Sequence, residues 1–168
     1  MKFQLGKISR QQFISTFSGI YELSPWVAES AWEKLPSLVH PTPSEIHKLM
    51  AGIVNSTNLN TKRKLLCSHP ELTGDQLNKR HMTSVSKKEQ KNSGLDNCSN
   101  KQRETLKNLN IFYKKKFGFP FILAIKGYSV PEIILIFQKR IKQSKSIEYR
   151  EAIEQVHKIA LLRLNEIF

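Results

Sequence analysis

Apolar residues recur along this chain at intervals of three and four, the spacing of one-sided helices, in several short runs separated by turn formers. Ser9-Arg10-Gln11-Gln12 is a capping-box pattern. It predicts a first helix with Phe13, Ile14 and Phe17 on one face and Gly19 after its end. Ser24-Pro25 predicts a second start, with serine as N-cap and proline at the first helical position. Trp26, Val27, Ala28, Ala31, Trp32 and Leu35 fill that helix, and Pro36 stops it. Residues 38–43 read as a loop, after which Ser44-Glu45-Ile46-His47 opens a third helix carrying Ile46, Leu49, Met50, Ile53 and Val54. Polar turn formers fill 55–60, and a fourth helix runs into His69-Pro70.

Residues 73–85 are polar and without clear period, a surface loop or a poor helix. Ser86-Lys87-Lys88-Glu89 is another capping-box pattern, with Gly94 closing the short helix behind it. Ser99 begins the next helix, with Leu106, Leu109, Tyr113 and Phe117 on one face. The run Phe117-Gly118-Phe119-Pro120-Phe121-Ile122-Leu123-Ala124 breaks the pattern. Glycine and proline end the helix there, and the phenylalanines anchor a buried, extended piece. Its main-chain amides need partners; it either presents some of them to a ligand or is an aromatic-rich turn that only packs. Helix resumes over 131–141, and a final helix begins near Ile147. Few segments alternate as strands do. The pattern predicts an all-α fold, a compact helical bundle of about eight helices, with residues 1–168 as a single domain.

Composition narrows the class. The chain carries 27 Lys and Arg against 14 Asp and Glu, a net charge of +13, which admits nucleic acid, an anionic membrane or an anionic small molecule as partner. Its lysines are scattered, with one cluster at Lys114-Lys115-Lys116, and scatter favours a solvated surface over a polyanion stripe. No apolar run reaches the length of a membrane span, and no secretory signal or S-K-L-type address is read. Two cysteines, Cys67 and Cys98, rule out a disulfide framework and suit a reducing compartment. The expected location is the cytoplasm, with neither membrane nor nucleic acid as partner.

Four features carry candidate chemistry. His69 precedes a proline, which pushes its backbone out of the helical region. It is either a capping histidine at a helix end or a proton-moving group. None of the five histidines falls in a metal-ligand spacing such as H-E-x-x-H, so no metal is expected. Ser86 and Glu89 are either a capping box or a polar pair for a ligand. Arg163 lies within the apolar stripe of the last helix, formed by Tyr149, Ala152, Ile153, Val156, Ile159, Ala160, Leu164 and Ile167. A guanidinium there needs an anionic partner or a route to water. The extended run from Phe117 is the fourth.

Three motifs stand in order: His69-Pro70-Glu71-Leu72, Ser86-x-x-Glu89-Gln90 followed by Gly94-Leu95-Asp96, and Tyr113-x-x-x-Phe117-Gly118-Phe119-Pro120-Phe121-Ile122. With the opening Tyr21-Glu22-Leu23-Ser24-Pro25-Trp26 and the closing Arg163-Leu164, the chain resembles the 2-oxo-4-hydroxy-4-carboxy-5-ureidoimidazoline (OHCU) decarboxylase family nearly end to end. It departs from that family in having Ser93 where a small alanine is usual and in a lysine-rich stretch over 87–93.

The resemblance implies an all-helical homodimer without metal or organic cofactor, decarboxylating a small anionic ureidoimidazoline to (S)-allantoin and CO2 in urate breakdown. His69 would correspond to the family's catalytic histidine and proton donor. Ser86 and Glu89 would orient the substrate, and Arg163 would meet an anionic group. Pro70, the run Ser86, Lys87, Lys88, Glu89 and Gln90, and the backbone of Phe121, Ile122, Leu123, Ala124 and Ile125 would line the ligand. A basic helical nucleic-acid-binding module or a helical interaction protein is the alternative.

Overall fold

The structure, a computed structural model, describes residues 8–35, 41–72 and 83–168. Among these, eight α-helices and one 3-10 turn make the fold all-α, as the periodicity predicts. The helices are α1 (Arg10–Phe17), α2 (Trp26–Lys34), α3 (Pro43–Ser56), α4 (Leu59–Cys67), α5 (Ser84–Asn92), α6 (Asn100–Phe117), α7 (Val130–Arg140) and α8 (Lys145–Ile167). Half of the expected loop at 38–43 and most of the polar stretch at 73–85 fall outside the described residues, and Pro43, at the end of that loop, already belongs to α3. None of the described helices is long and apolar enough to cross a membrane.

The chain divides into two compact units. The first comprises Met1–Ser68 and Val156–Phe168. In it Ser9 caps α1 in the expected capping box with Gln12. The cap of α3 is Thr42, whose hydroxyl accepts from Glu45 N–H at 3.2 Å, so that helix starts one residue before Ser44. Proline at the next position favours the earlier start. Phe13, Phe17, Val27, Ala31, Ile46, Met50 and Val54 are buried, placing the apolar stripes of α1, α2 and α3 in one core.

A polar cluster sits beside that core. The Tyr21 hydroxyl and His157 Nδ1 are 2.8 Å apart, and His157 Nε2 lies 3.1 Å from Asn55 Oδ1. His47 Nε2 is 2.9 Å from the His157 carbonyl oxygen. Burial pushes the Tyr21 hydroxyl up, so it donates to Nδ1 while Nε2–H donates to Asn55. His157 thus has both ring nitrogens satisfied when neutral. Burial, then the neighbouring His47 and Lys62, hold its pKa down to about 4.

The second unit, His69–Gln155, is organised by aromatic rings. Tyr113 is packed by Phe117, Phe119, Phe121 and Phe137, and Phe121 stacks on Phe137 at 3.8 Å. Gly118 adopts φ 79 to end α6, a left-handed conformation in which glycine carries no Cβ penalty. The chain then runs without regular secondary structure through the buried residues Phe119, Phe121, Ile122, Leu123 and Ile125.

Because the folded pKa of His157 lies below its ordinary value, the unfolded chain takes up that proton first as pH falls. Its contribution to stability is complete above about pH 6.5 and is lost progressively towards about pH 4. Thermal melts over this window should therefore slope less steeply for His157→Gln than for the wild type. Equal slopes would assign the acid sensitivity to another group.

Candidate functional site

The histidine motif follows α4 directly. His69 is 7% exposed and lies two residues past the helix end at Cys67. Three side chains of the second unit hold the motif behind it. Gln90 Nε2 donates to the Glu71 carbonyl at 3.0 Å, Asn110 Nδ2 to the Leu72 carbonyl at 3.1 Å, and Lys114 Nζ reaches Glu71 Oε1 at 3.1 Å. The first two of these bonds fix main chain, so they set the course of the backbone immediately following His69. Asn110, buried on α6 in line with Leu106, Tyr113 and Phe117, has no counterpart among the sequence-based site residues.

Helix α5 corrects one expectation. Its N-cap is Thr83, whose hydroxyl accepts from Ser86 N–H at 3.2 Å, so Ser86 stands at the third helical position rather than the cap. The capping-box reading of Ser86 and Glu89 fails because a threonine three residues earlier serves the orphan amides first. Both side chains are thereby released from a terminal role. Ser86 is buried, its Oγ accepting from the Thr83 hydroxyl at 3.1 Å, and Gln90 one turn later is buried beside it. Glu89 is half-buried on the flank of that face, whereas Lys87, Lys88 and Lys91 are exposed. Residues three and four apart share a helix face, so Ser86, Glu89 and Gln90 point one way and the lysines another. Gln90 Oε1 is buried and has no hydrogen-bond partner among the described residues.

The irregular stretch 121–125 is fixed along its backbone at two points. Arg140 Nη1 donates to the Ile122 carbonyl at 2.7 Å, and Ala124 N–H donates to Gln155 Oε1 at 3.0 Å. The Ala124 amide is thus committed to the protein. Arg140 is held by the fully buried carboxylate of Glu148 through Nε at 3.0 Å, and the Tyr113 hydroxyl donates to the same carboxylate.

Arg163 belongs to the first unit. The anionic partner its buried position demands is Glu22, with Nη1 and Oε2 2.9 Å apart and both side chains buried. Nη1 also donates to the Gly19 carbonyl at 3.1 Å. The turn that aims Glu22 inward, closed by Ser24 N–H on the Tyr21 carbonyl at 3.1 Å, sets Leu23 outward at φ 46. That conformation is uncommon for a residue with a side chain. The structure therefore places His69, Pro70, Ser86, Glu89, Gln90 and 121–125 in one unit, and Arg163 with Glu22 in the other.

A family model described as OHCU decarboxylase matches residues 6–165. The chain belongs to the OHCU decarboxylase family. It is 36% identical over 165 residues to the 2-oxo-4-hydroxy-4-carboxy-5-ureidoimidazoline decarboxylase of Haloferax volcanii, covering 98% of this chain and 94% of that one. To the enzyme of the same name from Xenopus laevis it is 33% identical over 164 residues, covering 98% and 92%. A crystal structure of (S)-allantoin synthase matches with a TM-score of 0.75 at 28% identity, over 98% of this chain and 52% of that one. An OHCU decarboxylase structure determined in the presence of (S)-allantoin shares the fold, with a TM-score of 0.72 at 23% identity over 91% of this chain and 97% of that one.

Two expectations follow from these contacts. Thr83→Ala should cost about 1 kcal/mol of stability and Thr83→Ser little, as for a helix N-cap; chemical denaturation of the three proteins measures it. Arg163→Leu removes the cation that faces the buried Glu22 carboxylate, which should cost about 3–5 kcal/mol. The double variant Arg163→Leu with Glu22→Leu should be much less destabilised. If the double variant melts no higher than the single, the pair is not the source of the loss.

Proposed function

We propose that this chain decarboxylates 2-oxo-4-hydroxy-4-carboxy-5-ureidoimidazoline to (S)-allantoin and CO2, with His69 as the proton donor. The observation that carries the reading is the near full-length match to the decarboxylase family, with His69-Pro70 held where α4 ends. The match over 6–165 runs through both compact units, which supports treating residues 1–168 as one functional domain.

The chemistry asks little of a cofactor. Breaking the bond to the carboxylate releases CO2 and leaves its electron pair on the ring, delocalised into the adjacent C=N or C=O. One proton delivered to the ureido-bearing carbon, with the neighbouring hydroxyl becoming the ring carbonyl as its own proton passes to the ring nitrogen, completes the change; the net balance is the carboxylate and one H⁺ going to product and CO2. Delivery from one face sets the handedness of the product. The protein's tasks are orientation, charge stabilisation and that single proton.

His69, with its following backbone held by Gln90 and Asn110, supplies the proton. Glu89 favours the protonated imidazole and accepts ligand N–H groups. Ser86, at the third position of α5 and not its cap, binds the ureido or ring edge. Gln90 adds its unpartnered Oε1 as a further acceptor. The backbone of 121–125 and Pro70 line the ligand, with main-chain N–H groups meeting its oxygens. Arg163 meets an anionic group, as the resemblance implies, while remaining paired with Glu22. Lys87 and Lys88, exposed on α5, act through their charge on an anionic substrate. The family resemblance further supports a cytoplasmic homodimer that works without metal or organic cofactor.

The test generates the substrate in situ from urate and follows circular dichroism. Wild type should give rapid formation of (S)-allantoin. His69→Ala should lose about 10²–10⁴-fold in kcat and leave the slow racemic reaction. Glu89→Gln should lose turnover while melting near wild type. A wild type no faster than spontaneous decay would sink the assignment.

A further inference from the structure

We infer that Arg140 and Gln155 are positioning residues that hold the 121–125 backbone in the orientation the proposed decarboxylation uses. The inference rests on the function proposed above, and it concerns residues that make no direct contact with the reacting atoms.

An extended segment in a helical protein has no neighbouring strand to take its N–H and C=O groups, so each must find a partner elsewhere. Here side chains take two of these groups, and the Tyr128 N–H takes the Ile125 carbonyl at 3.1 Å. Arg140 Nη1 takes the Ile122 carbonyl at 2.7 Å, and Gln155 Oε1 takes the Ala124 amide at 3.0 Å. None of the described peptide bonds is cis. In a trans peptide the C=O and the following N–H point to opposite sides of one plane. Fixing the Ile122 carbonyl on Arg140 therefore aims the Leu123 N–H away from Arg140. Fixing the Ala124 N–H on Gln155 likewise aims the Leu123 carbonyl away from Gln155. The Leu123 N–H and C=O are thus each turned away from the side chain that holds the peptide they belong to. Each is of a kind that a ureido group or cyclic amide can answer.

The hold on this stretch is stiff. Arg140 is 4% exposed and Glu148 is fully buried, and Arg140 is further tied by placing its guanidinium over the Phe121 ring at 4.6 Å. The cation thus meets the segment twice, at the Phe121 ring and the Ile122 carbonyl, while Glu148 fixes its other edge. Lysine has one point charge and no planar fork, so it cannot make all three contacts at once. A buried ion pair is weak support for stability. Its position on this backbone points instead to the geometry of 121–125 as what it secures. Gln155 is steadied in turn by donating from Nε2 to Glu151 Oε1 at 2.8 Å.

The experiment compares wild type with Gln155→Met and Arg140→Lys for kcat, KM, product handedness and amide hydrogen exchange at Leu123 and Ala124. Gln155→Met keeps the side-chain volume and removes the acceptor. Arg140→Lys keeps the charge and removes the fork. The expected result is a fall in kcat/KM of at least about tenfold in each, as small misplacements of binding groups produce. Product of lower optical purity and faster exchange at Ala124 in Gln155→Met should accompany it, with helical content unchanged. A purely structural role would leave kcat, KM and handedness of the folded fraction near wild type, and that result overturns the inference while the proposed activity stands. A wild type inactive on the ureidoimidazoline overturns the proposed function, and this positioning role with it. Should Arg140→Lys not fold, Gln155→Met decides the question alone.

Discussion

An extended backbone inside a helical protein must be hydrogen-bonded by something other than a sheet, and this requirement shapes the second unit. Residues 119–123 and 125 are buried between α6 and α7, where water cannot serve their main-chain groups. The solution is to bring polar side chains to the segment. Arg140 comes from the last turn of α7 and Gln155 from α8. Arg140 entails Glu148 as counter-charge, and Glu148 takes a further donor in Tyr113. The aromatic residues surrounding Tyr113 then close the environment that makes each of these bonds obligatory. Placement of Phe121 and Ile122 is thus a consequence of electrostatics as much as of apolar packing.

The first unit meets its buried charge in a different manner. Arg163 stands on the apolar face of α8 and is answered by Glu22, which a tight turn directs inward while Leu23 takes the unusual backbone angle. The nearby His157 is kept neutral by its surroundings and serves Tyr21 and Asn55 as an uncharged bridge. One unit buries an ion pair on side chain and carbonyl; the same unit avoids burying a second cation by lowering a pKa. Both choices follow from the cost of an unpaired charge away from water.

Much of this was legible along the chain. Ser9 and Ser99 announce α1 and α6 because a capping box is a local pattern, complete within four residues. The apolar stripe of α8 identified Arg163 as a cation in need of a partner. Thr83 escaped notice because the third residue after it is serine, whereas Ser86 has glutamate at that spacing and looks the better cap. Ser129 was likewise hidden behind Pro131, which marked the start of α7 at a later position. Arg140 continues the series Val130, Ile133 and Phe137, the same reasoning that singled out Arg163. In the last turn beside Lys139, however, a cation is what the helix dipole favours at a solvated end. Glu22, Glu148 and Gln155 find their partners up to 141 positions away in sequence, and periodicity carries no information on such pairings.

The cap at Thr83 has a consequence for how this family can vary. A helix turns about 100° with each residue, so the residue chosen as cap sets the angular phase of everything that follows it. Ser86, Glu89 and Gln90 share a face through their own spacing, and the count from Thr83 decides which way that face points. One residue inserted between Thr83 and Ser86 would turn Ser86 and Gln90 to the directions now held by the exposed Lys87 and Lys91, without altering their identities. The cap is the point from which a fixed register runs.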